Sequence, residues 1–301
     1  MKVLITGATG LIGEAIVKQC HKKDIAVNYL TTSKSKLSTD VNYKGFYWNP
    51  AKGEIDTSCF EGVEAIINLA GATIAKRWTQ SRKKLILDSR VEALTLLKTS
   101  LAKQNHTVKQ LISASGIGAY PDSLTNYYEE TYPATSETFL GKVVREWEET
   151  VNSFHELGIT TAKIRIGLVL AKDGGALPEM VKPISFFAGA AFGSGAQWQS
   201  WIHITDLAKL FVFVLKHQLE GIYNAVAPNP VTNTELTKAI AKTLNKPLWL
   251  PNIPKFVMQL ALGEMHILLF ESQRVSCKKI ENKGFDFTYY HVESALVHLL
   301  G

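Results

Sequence analysis

Residues 1–13, Met1-Lys-Val-Leu-Ile-Thr-Gly-Ala-Thr-Gly-Leu-Ile-Gly13, constrain the fold more than any other stretch of the chain. A short apolar run, Lys2–Thr6, breaks into glycines at positions 7, 10 and 13. Gly7 lets the chain turn sharply at the strand end. Gly10 removes the side chain where a pyrophosphate would approach the backbone, and Gly13 lets the next helix pack on the sheet. The amide groups at that helix N-terminus, at the positive end of its dipole, then face the phosphates. Glycines at this spacing also occur in ordinary α/β turns. Here a strand precedes them and an amphipathic helix (Ile12, Ile16, Val17, Cys20) follows, the context that marks a dinucleotide site. Gly7, Thr9, Gly10, Leu11, Ile12 and Gly13 are expected to surround the bound pyrophosphate.

Strand-like runs recur at Lys2–Thr6, Ile25–Thr31, Gly45–Trp48, Ala65–Leu69, Lys109–Ser113 and Thr161–Ile166. Helical patterns separate some of them, at Leu11–Lys23, Gln80–Lys103 and Glu137–Leu157. This alternation predicts an α/β fold: a Rossmann-like, doubly wound parallel sheet with right-handed crossovers and helices on both faces. Ligands of such sheets sit outside the carboxyl ends of the strands. From about Leu170 the texture changes, with Gly174-Gly175, Pro178, Pro183 and the glycine-rich Gly189–Gly195. A helix at Asp206–His217, a strand at Gly221–Val226 and a helix at Asn233–Leu244 follow, and prolines punctuate the rest. The expected division is a dinucleotide-binding domain over residues 1–169 and a smaller α+β substrate-side lobe over 170–301. The two interleave about an approximate boundary, and 301 residues suffice for both.

The net charge of +6 is spread along the chain except at Lys76–Lys84, KRWTQSRKK. That cluster reads as a solvated helix face or as a patch steering an anionic cofactor or substrate. No nucleic-acid-binding motif accompanies the charge, so nucleic acid is not an expected partner. The N-terminus lacks the basic segment and apolar core of a secretory signal. The run Phe256–Phe270 contains Gln259, Glu264 and His266 and is too short to span a bilayer, so no membrane partner is expected. Cys20, Cys59 and Cys277 are far apart and odd in number, which suits a reducing cytoplasm. These features fit a cytoplasmic protein acting on a small molecule; oligomeric state is left open.

In dinucleotide folds a carboxylate about 20 residues past the glycine turn accepts hydrogen bonds from the ribose 2′-hydroxyl of NAD. Here the second strand runs into Thr31-Thr32-Ser33-Lys34-Ser35-Lys36, with no acid until Asp40. A carboxylate would repel a 2′-phosphate, whereas hydroxyls and an ammonium can bind one. Thr32, Ser33 and Lys34 therefore favour NADP(H) over NAD(H).

At this point the motifs match a family. The chain resembles the atypical extended short-chain dehydrogenase/reductases, in the NAD(P)-dependent epimerase/dehydratase family and its nucleoside-diphosphate-sugar epimerase-like subgroup. The matching residues are Gly7–Gly13, Asn68-Leu69-Ala70-Gly71-Ala72, Ser113-Ala114-Ser115 and Arg165-Ile166-Gly167. More specific are Gln197–Asp206 (QWQSWIHITD), Asn224–Pro228, Leu262-Gly263-Glu264 and Ser272–Val275. The resemblance implies a nicotinamide dinucleotide, contacted also by Leu69, Ala70, Gly71 and Ser113, and a pocket between lobes for a small, anionic or sugar-like substrate. It further implies a catalytic Ser with a Tyr-x-x-x-Lys pair, the phenol handling the proton that accompanies hydride transfer.

The chain departs from that pattern: no Tyr stands four residues before any Lys. The expected helix reads Thr138-Phe-Leu-Gly-Lys142-Val-Val-Arg-Glu-Trp147-Glu148. One register puts Thr138 and Lys142 at the two places; alignment on Trp147-Glu148 puts Leu140 and Val144 there. Either register loses the acid. Ser115 remains the candidate substrate-orienting hydroxyl, with packing beside the cofactor as its alternative. Tyr120, with Tyr127 and Tyr128 in the same loop, is a candidate phenol or a covering aromatic. His203, in the apolar run Trp201–Ile204, is a candidate acid or a buried structural histidine. Asp206 reads as a helix cap, and Glu264 with His266 as a polar helix stripe without a third metal ligand. Arg90, on the helix whose start faces the cofactor, is a candidate for bidentate binding of phosphate or carboxylate, or else faces solvent. Two functions stay open: an NADP(H)-dependent oxidoreductase or epimerase-type enzyme, and a non-catalytic NADP(H)-binding sensor.

Overall fold

The computed structural model describes all 301 residues, Met1–Gly301. Six apolar runs become parallel strands: β1 (Lys2–Thr6), β2 (Ala26–Thr31), β3 (Tyr43–Asn49), β4 (Ala65–Asn68), β5 (Gln110–Gly116) and β6 (Thr160–Ile166). Helices cover both sheet faces, so inner strands such as β1 and β4 are buried along nearly their whole length. After β6 come β7 (Leu168–Ala171), β8 (Trp201–His203) and β9 (Gly221–Ala225). The order across the main sheet is β9-β6-β5-β4-β1-β2-β3, with two short antiparallel strands, Thr39–Asp40 and Glu54–Ile55, against β3. The strand order reverses at β1: β2 lies on one side and β4 on the other. A crevice opens at that switch point.

The helices are α1 (Leu11–His21), α2 (Gln80–Leu101), α3 (Phe139–Asn152), α4 (Leu177–Ser185), α5 (Ile204–Lys216), α6 (Asn233–Thr243), α7 (Lys255–Leu262), α8 (Ile267–Phe270), α9 (Lys278–Glu281) and α10 (Val292–Leu300). α1 packs with α5, and α2 with α3. Local chemistry sets their starts. Thr79 and Thr138 accept from Arg82 and Gly141 N–H at the starts of α2 and α3, and Thr232 with Glu235 forms a capping box on α6.

The strand Gly221–Ala225, expected in the C-terminal lobe, instead extends the main sheet, pairing in parallel with β6 from Gly221–Ala162 to Ala225–Ile166. Its helix α5 likewise contributes Leu207, Leu210, Phe211 and Val214 to the main core. The smaller lobe has its own core of Leu177, Trp201, Leu236, Ile240, Leu296 and neighbours. No helix is long and apolar enough to cross a membrane.

Candidate functional site

The glycine turn closes on itself: Gly10 N–H donates to Gly7 O at 3.1 Å, and Gly7 takes φ +73°, the left-handed region that favours glycine. A Cβ on Gly13 would lie 2.1 Å from Gly7 O, so α1 approaches β1 only because that side chain is missing. A Cβ on Gly10 would meet nothing closer than Gly7 O at 3.4 Å, so the space in front of it is open. No side chain caps α1, and its first internal hydrogen bond is Glu14 N–H to Gly10 O. The amides of Leu11, Ile12 and Gly13 are thereby left for a ligand. This turn at the switch point fits a dinucleotide pyrophosphate.

On the β2 side of the turn, Thr32 and Lys34 are exposed and Ser33 partly so. The Lys34 ammonium lies 5.2 Å from the Tyr47 ring centroid and makes no ion pair, while Asp40 is engaged with Ser38. On the β4 side, Leu69 and Ala70 donate their N–H groups to Thr6 Oγ1, which itself donates to Asn68 Oδ1 at 2.7 Å. Asn68 Nδ2 donates to Ser113 Oγ at 3.0 Å. Ser113 and Asn68 are fully buried. Ser113, expected at the cofactor, ties β5 to β4 through Asn68 in this structure.

Behind these groups lies a buried polar row. Ser115, Arg165 and Asn224 are register partners on β5, β6 and β9. Ser115 Oγ donates to Glu148 Oε1 at 2.7 Å, and Arg165 holds the same carboxylate bidentately, Nε to Oε1 and Nη2 to Oε2, both 2.8 Å. Burial opposes charge on Arg165, but Glu148 and Tyr120 outweigh it and raise its pKa. Glu148, Arg165 and Asn224 were not singled out as site residues, although Arg165 between Ile164 and Ile166 in β6 signals a buried partner.

The two candidate pairs on α3 lie on different sides of the helix. Thr138 is the N-cap and Lys142 is exposed, so that pair faces away from the sheet. Leu140 and Val144 face the carboxyl end of β5: Cβ atoms on Gly118 and Gly116 would lie 3.2 Å from Leu140 Cβ and 3.9 Å from Val144 Cγ2. Two aliphatic residues, Leu140 and Val144, therefore flank the end of β5.

The two other proton-donor candidates are committed elsewhere. Tyr120 is 1% exposed, stacks on Tyr128 at 5.1 Å and donates its hydroxyl to Asn224 Oδ1 at 2.8 Å. Burial raises its pKa. Gln273 Nε2 also donates to Tyr120 O, which pins this loop to the C-terminal lobe. His203 Nδ1 caps α5 by accepting Thr205 N–H at 3.0 Å, and Nε2 meets His298 Nδ1 at 3.2 Å. Its ring stacks on Tyr289 at 4.0 Å. Burial first, then His298 and Lys209, lower its pKa to about 4, so the ring is neutral near pH 7. In this structure both side chains are buried and hydrogen-bonded inside the fold, Tyr120 to Asn224 and His203 to Thr205 and His298. Asp206 staples the C-terminal segment by accepting from Thr288 and Tyr289 N–H. Glu264 pairs with Lys83, and His266 Nδ1 bonds Gly263 O at 2.8 Å.

Arg90 lies under the loop that follows β4. Its Nη1 donates to Ala72 O at 3.2 Å and Ile86 O at 2.7 Å, and its Cζ sits 4.8 Å from the Trp147 ring centroid. A Cβ on Gly71 would come within 2.9 Å of that Cζ, so Gly71 keeps the guanidinium in place.

Comparison with known proteins gives the family and the fold. The model of the NAD dependent epimerase/dehydratase family matches residues 3–225, and a domain of unknown function, DUF1731, matches 253–299. The chloroplastic epimerase family protein SDR39U1 homolog of Arabidopsis thaliana is 38% identical over 302 residues, covering 98% of this chain and 86% of that one. The crystal structure of human epimerase family protein SDR39U1 (isoform 2) with NADPH superposes with a TM-score of 0.85 at 28% identity, covering 99% of each chain. The UDP-glucose 4-epimerase of Thermus thermophilus in complex with NAD gives a TM-score of 0.77 at 17% identity over 99% of this chain and 98% of that one, a likeness of fold.

Proposed function

The chain belongs to the NAD-dependent epimerase/dehydratase family, and we propose that it binds NADP(H) across the β1 switch point and acts on a small anionic or sugar-like molecule beside β4 and β5. The open space before Gly10, with three unpartnered amides around it, carries this reading. The β2 loop, with Thr32, Ser33 and Lys34, follows the strand next to β1, which supports its meeting an adenosine 2′-phosphate. NADPH in the human relative supports the same preference. The nicotinamide, when bound, would donate or accept hydride.

Among this chain's own residues, Leu140 and Val144 exclude water from the strand end but supply no proton. Ser115 has given its own proton to the Glu148 hydrogen bond and keeps lone pairs to accept one from a substrate hydroxyl or a water. It is the polar group proposed to orient substrate. Absence of a phenol typically slows proton transfer by roughly 10²–10⁴-fold, so simple ketones should be reduced very slowly. The aliphatic pair also supports a second reading, a protein that senses NADP(H) without turnover. An NADPH-oxidation screen over sugars, nucleotide sugars and simple ketones, repeated on Ser115→Ala, separates the two. Turnover that Ser115→Ala reduces supports the enzyme; fast turnover unaffected by it removes Ser115 from the site. Tight NADPH binding with no turnover supports the sensor.

A further inference from the structure

The charge balance of α2 is uneven. Lys83 pairs with Glu264, Lys84 with Asp88, and Lys98 with Glu156. Arg82 and Arg90, eight residues apart and so on about the same helix face, belong to none of the protein's ion pairs. Both are partly buried, and both carry a buried Nε with no hydrogen-bond partner. Their hydrogen bonds go to neutral carbonyls, Arg82 Nη2 to Thr73 O and Arg90 Nη1 to Ala72 O and Ile86 O, and Arg90 also faces the Trp147 ring. Arg90 Nη2 and Arg82 Nη1 make no hydrogen bond within the protein. The two charges repel: burial and then the Arg82 charge push the Arg90 pKa down to about 10.

Two half-buried guanidiniums without a counter-charge are unfavourable in the free protein. A fork geometry suited to carboxylate or phosphate is thus held ready at the price of that repulsion. Its position is informative. Thr73 and Ala72 belong to the loop leaving the carboxyl end of β4, across the glycine turn from the Lys34 loop. The pair is therefore on the opposite side of the crevice from the 2′-phosphate position. Beside it lies the apolar cluster of Trp78, Ile86, Val143, Phe139, Leu140 and Met265, which joins α2 and α3 to the C-terminal lobe.

We propose that Arg82 and Arg90 form an anion-recognition site that reads a carboxylate or phosphoryl group of the substrate, its less polar part lying toward Leu140 and Trp78. This rests on the cofactor reading above, because it places the anion on the substrate side of a bound dinucleotide.

The test uses the full chain saturated with NADPH, with inorganic phosphate and malonate as probes at constant ionic strength set with chloride. Both probes, or one of them, should raise the thermal unfolding midpoint of the wild type. A larger response to phosphate assigns a phosphoryl group, and a larger response to malonate a carboxylate. Arg82→Gln and Arg90→Gln should lose more than half of the response, and Arg90→Lys should retain part of it. NADPH affinity should change less than threefold in Arg82→Gln. Without anions, Arg82→Gln should melt no lower than the wild type, which a merely structural arginine would not allow. No response in the wild type, or an equal response in the variants, would overturn the proposal. So would a tenfold loss of NADPH affinity in both Gln variants, which would give the pair to the cofactor. If the wild type fails to bind NADPH, the cofactor reading falls, and the same anion series on the apo protein still decides whether the arginines bind anions.

Discussion

Replacing Glu148 by Gln keeps the shape of the side chain and removes its charge. In the native chain each carboxylate oxygen accepts from Arg165, and Oε1 accepts also from Ser115. An amide at this place offers one acceptor oxygen instead of two and turns an N–H₂ toward a guanidinium or a hydroxyl that is itself donating. Arg165, 7% exposed, would stay charged with only the Tyr120 ring face, 5.0 Å from its Cζ, and neutral dipoles around it. Breaking a buried pair in this way costs about 3–5 kcal/mol. For a chain of this length, at about 2 °C per kcal/mol, the midpoint should fall by roughly 6–10 °C. Calorimetry or urea unfolding measures it. Removing both charges, as in Glu148→Leu with Arg165→Met, should recover much of the loss, because no orphaned charge remains. A Glu148→Gln midpoint within about 1 kcal/mol of the wild type, or a double variant as unstable as the sum of its singles, would refute the argument.

Gly10→Val should abolish dinucleotide binding with little change in the melting curve, since the added side chain enters open space; normal binding by calorimetry would dissociate this turn from the phosphates. Lys34→Ala should weaken NADPH by about 1–2 kcal/mol, the worth of one charge-assisted contact, and leave NADH nearly unchanged; equal losses for both cofactors would remove Lys34 from the 2′-phosphate. His203 has a folded pKa of about 4, below its ordinary value of 6.5, so its neutral form stabilises the fold above about pH 6.5. That contribution, roughly 3 kcal/mol at most, is lost as pH falls from 6.5 through 4. His203→Asn should flatten stability against pH in this window, and an unchanged slope would show that the ring does not titrate there.

The order of elements up to Ile166 was legible because parallel strands covered on both faces are apolar runs, and because Gly7–Gly13 joins a strand to a helix in only a few ways. Gly221–Ala225 was legible as a strand but not as part of the main sheet: that membership depends on pairing with Thr160–Ile166, which lies far back in the chain. The site divided in the same way. Backbone features such as the open turn could be read directly, since glycine spacing encodes them. The fates of Tyr120, His203 and Ser113 could not, because their partners Asn224, Thr205 and Asn68 are set by tertiary packing or by a cap. The N-cap role of Thr138, with Lys142 exposed beyond it, was not legible, because the helical pattern ran back to Glu137 and no capping-box acid follows Thr138.

Titration calorimetry of NADPH and NADH into the wild-type protein tests the central claim most directly. The account predicts saturable binding of NADPH at one site, at least tenfold tighter than NADH, the equivalent of about 1.4 kcal/mol. No heat of binding for either cofactor, or a tighter complex with NADH, would contradict it.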